Sequence, residues 1–317
     1  MRIFFKIVKW VLLITLVIFS TFITINWAPD RSVEELKLKW AQPPSQFIDI
    51  DGLQVHLRDE GPPDDPMPIV LLHGTSASLH TWDGWVSALK DEHRVIRFDM
   101  PAFGLTGPSL NNNYSIEDYS QLVVAVLKKL QVEHYTLAGN SLGGYVAWAT
   151  AVLHPSQVKQ LVLIDSSGYP YNSQSIPIGF KIANMPVLNT LMEYVLPRSI
   201  IENSLENVYG NPSLVTPELI DRYYDLTTRA GNRQALVERF KQTQPGPLAD
   251  KISEINIPTL ILWGGRDNLI PAHNGERFHK EIIGSKFVLF NELGHIPHEE
   301  DPEKTVTAFK KFLTNKK

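Results

Sequence analysis

The apolar positions divide the chain into an unbroken hydrophobic start, a polar interval and a long body in which short apolar runs alternate with amphipathic stretches. Residues 47–50 and 53–57 flank Asp51-Gly52, a two-residue turn signal of the kind that closes a β-hairpin. Ile69-Val70-Leu71-Leu72 is apolar without alternation, as expected of a strand covered on both faces. Similar runs occupy 95–98, 135–138, 161–164, 260–263 and 287–290. Helical spacing lies between most of them, at 82–89, 116–130, 144–153 and, last, 302–313. A hairpin followed by alternating strand and helix predicts an α/β fold with a mostly parallel, doubly wound sheet. Between Ile164 and Leu260 no strand pattern occurs. Helical segments at 178–183, 187–195, 217–230 and 233–242 take its place, so residues 168–250 read as a helical cap inserted into a core of 46–167 and 251–317.

The first 27 residues follow another rule. Arg2, Lys6 and Lys9 precede an apolar run over 10–25, broken only by Thr15, Ser20, Thr21 and Thr24, and no acidic residue occurs before Asp30. Roughly 17–25 apolar residues cross a bilayer as a helix, and the early lysines can snorkel to the interface. The basic flank predicts a single-pass anchor in the inner (plasma) membrane with the body on the periplasmic or extracellular side. A cleaved signal peptide would give the same destination, but Ile23-Thr24-Ile25-Asn26-Trp27 lacks the small residues of a cleavage site. An uncleaved anchor is therefore the expectation. Residues 28–45, with Pro29, Pro43 and Pro44 among charged residues, read as a linker.

Composition narrows the chemistry. Of 317 residues, 43% are apolar and 20% charged, enough for a large core. A net charge of -4, without a basic stripe after residue 40, excludes nucleic acid as the expected partner. No cysteine is present, which removes disulfides, thiolate metal sites and a thiol nucleophile. The ten histidines show no metal-ligand spacing, so neither a metal nor another cofactor is expected, and nothing calls for an obligate protein partner.

Gly139-Asn140-Ser141-Leu142-Gly143 fits G-x-S-x-G, with a strand pattern before it and a helix pattern after it. That context predicts a nucleophile elbow carrying Ser141 on a strained turn. A serine needs a base oriented by a carboxylate. Asp267, in Gly264-Gly265-Arg266-Asp267, and His295, in Leu293-Gly294-His295, each follow a late strand on the edge where open sheets bind ligands. Asp165 and His298 are the rival acid and base; Asp165 reads rather as a structural residue at its strand end, and His298 does not directly follow Gly294. Two backbone N–H donors should hold the oxyanion, those of Leu142 and Thr75, the latter in the loop His73-Gly74-Thr75-Ser76 that His73 would order. Asp99 to Gly104 should shape the pocket floor, and Tyr169, Tyr171, Phe180, Met185, Met192 and Tyr194 are candidates to line an acyl pocket. Asn113-Tyr114-Ser115 matches the short N-glycosylation pattern.

Over roughly residues 46–315 the sequence resembles the α/β-hydrolase superfamily. The matches are His73-Gly74, Asp99 to Gly104, Gly139 to Gly144, Gly265-Arg266-Asp267 and Gly294-His295-Ile296-Pro297-His298-Glu299. The resemblance implies a Ser141–His295–Asp267 hydrolase. Haloalkane dehalogenases and epoxide hydrolases carry Asp where Ser141 stands, so those activities are disfavoured. C–C bond hydrolases of aromatic degradation share Gly-Asn-Ser-x-Gly-Gly, but this chain lacks their Gly-Pro-Gly after His73-Gly74 and has Ile296 where they usually have Trp. The expectation is a carboxylic-ester hydrolase of esterase or lipase type acting on a small-molecule ester or lipid. A C–C hydrolase or lactonase using the same triad, and a membrane-anchored binding protein on the same fold, are the alternatives.

Overall fold

Asp51 and Gly52 turn the chain with φ of 51° and 92°, and β1 (Gln46–Ile50) folds back on β2 (Leu53–Glu60), Ile50 opposite Leu53. Both central residues lie in the left-handed region, as a tight hairpin turn requires. The computed structural model describes residues 1–170, 172–242 and 246–314; Tyr171, a candidate lining residue, lies outside them. Six further strands follow: β3 (Ile69–Leu72), β4 (Val95–Phe98), β5 (Tyr135–Asn140), β6 (Val158–Ile164), β7 (Thr259–Gly264) and β8 (Lys286–Phe290). They form one sheet in the order β1-β2-β4-β3-β5-β6-β7-β8, parallel from β4 through β8.

The helices are α1 (Arg2–Ile25), α2 (Val33–Trp40), α3 (Asp83–Leu89), α4 (Ile116–Lys129), α5 (Leu142–Leu153), α6 (Ile178–Ala183), α7 (Leu188–Leu191), α8 (Arg198–Val208), α9 (Pro217–Thr227), α10 (Asn232–Gln242), α11 (His273–Glu281), α12 (Pro297–Glu300) and α13 (Pro302–Thr314). The alternation within β3 shows why its run is apolar throughout. Val70 and Leu72 face one cluster with Val123 and Val126 of α4, Val146 and Trp148 of α5 and Phe278 of α11. Ile69 and Leu71 face the opposite cluster with Trp85 of α3 and Phe309 and Phe312 of α13. Both faces are therefore buried, and a period-two pattern is not needed.

Between β6 and β7 the chain forms α6 to α10, with no strand among the described residues. Two elements differ from expectation there. The segment 187–195 gives only α7, because Val187 takes φ 73° ahead of it and Val195 forms an antiparallel bridge with Trp27 beyond it. The helix α8 was not among the expected ones, although Ile201, Leu205 and Val208 recur at helical spacing. No residue of α1 is buried, and the helix is long and apolar enough to cross a membrane.

Residues 28–45, read as a linker in the sequence, carry α2, which packs against the inserted helix α9. Ser32 caps α2 by accepting from the Glu35 N–H, and Leu36 is buried with Leu105 and Leu226. Arg31, Lys39 and the Trp40 indole converge on Asp225 of α9 at 2.6, 3.1 and 3.0 Å. Arg233 of α10 donates to the carbonyls of Ala28 and Met192 and pairs with Asp30. A buried leucine and a capped turn were outweighed in the sequence by the prolines and charges around them, yet Asp30, Arg31 and Lys39 have partners on α9 and α10.

Candidate active site

Ser141 sits between the end of β5 and the start of α5 with φ 55° and ψ −114°, a conformation that L-residues avoid and the surrounding structure must hold in place. Its N–H donates to Ile164 O and its carbonyl accepts from the Tyr145 and Ser167 N–H groups. The turn is so tight that a Cβ on Gly139 would lie 2.1 Å from Gly143 O, and one on Gly143 would lie 2.2 Å from Leu72 O. Only glycine fits either place. Ser141 retains 9% exposure, so its hydroxyl faces a narrow opening.

His295 and Asp267 come together as their order in the chain suggested. His295 Nδ1 lies 2.7 Å from Asp267 Oδ2, both groups being buried. The other carboxylate oxygen accepts from the N–H groups of Leu269 and Ile270 at 2.8 Å each, which fixes the carboxylate plane. The His295 loop is held from three sides. His295 N–H donates to Val208 O, Gly294 N–H to Glu300 Oε2, and Asn140 Nδ2 to His295 O. Asn140 also donates to Ile164 O, so one amide ties the serine elbow, the end of β6 and the histidine loop together. The sequence showed Asn140 only as a letter inside the serine motif; its neighbour position to Ser141 was the available signal. Among the described residues no hydrogen bond joins Ser141 Oγ to His295 Nε2; catalytic hydrogen bonds of this kind commonly tighten only in the complex with substrate.

The two rival residues occupy different roles. His298 is fully buried against Trp82, ring centroids 4.0 Å apart, with Nε2 3.1 Å from Thr81 Oγ1. Burial, with His295 and Arg222 nearby, lowers its pKa well below the usual range, so it stays neutral. Asp165, at φ 43°, accepts the Gly264 N–H through Oδ1 at 2.9 Å, while Oδ2 has no hydrogen-bond partner. Desolvation, then the charge of Asp267, pushes the Asp165 carboxyl well above the ordinary range. Asp165, Asp267 and His295 each offer a donor atom within 4.8 Å of the others. Asp267 Oδ2 and His295 Nδ1 are already spent on each other, which is the geometry of an oriented imidazole rather than of an open metal cage.

His73 orders the loop after β3: its Nδ1 lies 2.8 Å from Gly74 O, and its Nε2 accepts the Met100 N–H. That acceptor role fixes the tautomer, with the proton on Nδ1. A Cβ on Gly74 would stand 3.2 Å from Ser141 Cβ, so Thr75 follows directly beside the serine. The N–H groups of Thr75 and Leu142 take part in no hydrogen bond among the described residues, leaving both free to receive an oxyanion. Asp99, in the floor loop, accepts from the Leu79 and Leu105 N–H groups and from His56. Burial alone would raise its pKa, but the facing His56 and its hydrogen bond hold it well below the carboxylate range.

Over Thr75 and Ser76 lies an apolar cavity with about 830 Å³ of empty space, its open mouth included. Phe180, Ile182, Met192, Leu196, Ile200 and Leu236 form its walls. Of the aromatic and Met candidates, Phe180 and Met192 line this cavity. Tyr169 is instead buried on Phe278 and donates to Glu281, and Met185 and Tyr194 are exposed. Glu299 anchors the inserted helices above the site, accepting from Tyr223, Thr81 and Arg222. Ser115 caps α4, accepting the Asp118 N–H through its hydroxyl.

Comparison with known proteins agrees with this fold. The chain is 28% identical over 262 residues to the uncharacterized hydrolase YugF of Bacillus subtilis, covering 82% of this chain and 94% of that one. It is 28% identical over 256 residues to the 2-hydroxy-6-oxo-2,4-heptadienoate hydrolase of Pseudomonas putida, covering 77% and 87%. Among solved structures, a bacterial membrane phospholipase A superposes with a TM-score of 0.72 at 23% identity, covering 99% of this chain and 98% of that one. The family model for the alpha/beta hydrolase fold matches residues 67–302, from just before β3 to the start of α13, and the chain belongs to the α/β-hydrolase superfamily.

Proposed function

We propose that this hydrolase is anchored to a membrane by α1 and cleaves carboxylic esters through an acyl-enzyme on Ser141, beneath a cap formed by α6 to α10. One observation favours the ester reading over C–C bond hydrolysis: among the described residues the cavity above Thr75 is lined mostly by apolar side chains and by a single charged one, Arg233. Arg233 spends both Nη groups on Ala28 O, Met192 O and Asp30. A dienoate carboxylate would be desolvated there against a guanidinium already paired with Asp30, which is costly, whereas an acyl chain is at home.

In the reaction His295 Nε2 takes the Ser141 Oγ proton as Oγ attacks the ester carbonyl. The Thr75 and Leu142 N–H groups receive the oxyanion, each donor being worth roughly 2.7–4 kcal/mol in comparable sites. The imidazolium gives its proton to the departing alcohol; His295 then deprotonates a water that attacks the acyl-enzyme and returns the proton to Ser141. Asp267 holds the tautomer with the proton on Nδ1. Similarity to the Pseudomonas putida 2-hydroxy-6-oxo-2,4-heptadienoate hydrolase favours a second reading, C–C bond hydrolysis by the same residues.

A panel of short- and long-chain p-nitrophenyl esters, a vinylogous diketone and a homoserine lactone, compared by kcat/KM, separates these readings. The ester reading expects the long-chain ester to lead; a leading diketone or lactone overturns it. Absence of a fluorophosphonate adduct on Ser141 would favour a binding protein instead.

A further inference from the structure

We propose that the outer faces of α6 and α7, together with Trp27 and Tyr194, lie in the interfacial layer of the bilayer that holds α1, so that the cavity above Thr75 is separated from lipid only by these two short helices. The proposal rests on the reading of α1 as a membrane anchor and adds where the body touches that membrane.

The first support is the absence of slack between anchor and cap. Directly after α1, Asn26 O accepts the Leu196 N–H at 3.0 Å and the Ala28 N–H donates to Tyr194 O at 2.8 Å. Trp27 stacks on Tyr194 with ring centroids 5.9 Å apart. Arg233, buried, bridges the carbonyls of Ala28 and Met192. Where α1 leaves the bilayer, residues 192–196 are already attached.

The second support is the character of the adjoining surface. Residues 172–196 contain only two charges, Lys181 and Glu193. Within that stretch Ile176, Ile178, Met185, Val187 and Leu188 are exposed, Val187 to 79%. Val187 is held outward at φ 73°, a conformation rare for a β-branched residue. Elsewhere outside α1, the exposed large aliphatic side chains Leu38, Leu110, Leu214, Ile283 and Leu289 come from separate segments. An apolar patch joined to an apolar helix and rimmed by Trp27 and Tyr194 has the make-up of a membrane interface, where aromatic rings with polar edges collect.

The third support is the reverse side of the same helices. Phe180, Ile182 and Ala183 of α6 face the cavity that reaches Thr75 and Ser76, while Ile178, Val187 and Leu188 face outward. The occupant is therefore the lipid bilayer, and an acyl ester crossing from it meets apolar side chains up to the loop beside Ser141.

The chain has no cysteine, so single cysteines report position cleanly. Full-length Leu12→Cys, Val187→Cys and Ile283→Cys proteins carry a bimane label in phosphatidylcholine–phosphatidylglycerol nanodiscs containing spin-labelled lipids. The expected result is deep-label quenching at position 12, shallow-label quenching at 187 and none at 283. Quenching at 12 with position 187 behaving like 283 overturns the proposal and leaves the anchor intact; no quenching at 12 overturns the anchor reading itself. Shielding of position 187 that depends on protein copies per disc, not on the quencher, assigns the patch to a second copy and also overturns the proposal. In parallel, V187D/L188D should slow hydrolysis of a long-chain ester embedded in vesicles by about tenfold and leave soluble p-nitrophenyl acetate turnover unchanged. Equal loss on both substrates counts against a membrane role for these side chains.

Discussion

Replacing Asp165 by Asn isolates the electrostatics beside His295 from the chemistry. Asp165 is fully buried, keeps one oxygen on the Gly264 N–H and leaves the other without a partner, next to Asp267. Desolvation and the Asp267 charge raise its carboxyl well above the ordinary range, so the native state holds a proton that the unfolded chain releases above about pH 4. The sign follows directly: with more protons bound in the native state, stability is complete below the ordinary carboxyl pKa and falls as pH rises toward the raised native value. The slope is about 1.4 kcal/mol per pH unit. Asn copies the shape, still accepts from Gly264, offers an N–H toward Asp267 and does not titrate. The stability of Asp165→Asn relative to wild type should thus grow by about 1.4 kcal/mol per pH unit above about pH 4.5, then level off once the native carboxyl ionises. At roughly 2–4 °C per kcal/mol, the gap in Tm widens by about 3–6 °C per unit. Thermal unfolding followed by tryptophan fluorescence at half-unit pH steps measures it, since Trp82, Trp85, Trp148 and Trp263 are all buried. Melting curves whose separation does not change with pH would refute the reasoning.

Ser141→Ala should lower p-nitrophenyl ester turnover by about 10⁶-fold if the three residues act as a unit, with Tm unchanged; wild-type rates would remove Ser141 from the mechanism. Asp267→Asn should reduce kcat by about 10⁴-fold through the wrong imidazole tautomer, and a loss under tenfold would pass the orienting role to Asp165. Gly143→Ala places a Cβ 2.2 Å from Leu72 O, so it should cost several kcal/mol, read as a lost or strongly lowered Tm; a Tm within about 2 °C of wild type would show that the elbow can relax. Arg233→Ala leaves the carbonyls of Ala28 and Met192 without their donor and should destabilise by about 1–3 kcal/mol. Its measure is faster limited proteolysis between residues 26 and 33, and an unchanged cleavage rate would count against this attachment of residues 28–30 to α10.

The parts of this molecule that could be read from the sequence are those in which burial dictates residue type. β3 and the centres of β5, β6 and β7 are buried on both faces, so each reads as a largely apolar run with ends marked by turn residues, while β4 is equally buried but carries Arg97. The elbow was legible because its glycines are compelled by backbone contacts near 2 Å at Gly139 and Gly143. By contrast, α11 buries one large apolar side chain, Phe278, in a sequence otherwise made of His, Asn, Gly, Glu, Arg and Lys, and α8 fully buries only Leu205. With so few apolar side chains, α11 has no apolar stripe, and the helical spacing of Ile201, Leu205 and Val208 in α8 stands out little among its polar residues. Asn140 was missed for a different reason: its two acceptors, Ile164 O and His295 O, are 24 and 155 residues away, and no local pattern encodes such a bond.

The interval 28–45 shows how charge can mislead when read locally. In sequence, Arg31, Lys37 and Lys39 among prolines resemble a solvated tether. In the fold Arg31 and Lys39 meet Asp225, which is also bonded to the Trp40 indole, and Leu36 goes into the core with Leu226 one residue further along α9. The same helix carries Arg222 and Tyr223, whose polar groups reach Glu299 beside His298. Exposed ion pairs contribute little singly, but here they flank a buried leucine and partly buried groups, so the segment is fixed by packing and the charges set its register. A helix joined to the body through such a segment cannot swing freely. The placement of α1 against the inserted helices is therefore a property of residues 26–40 and α9 as much as of α1 itself.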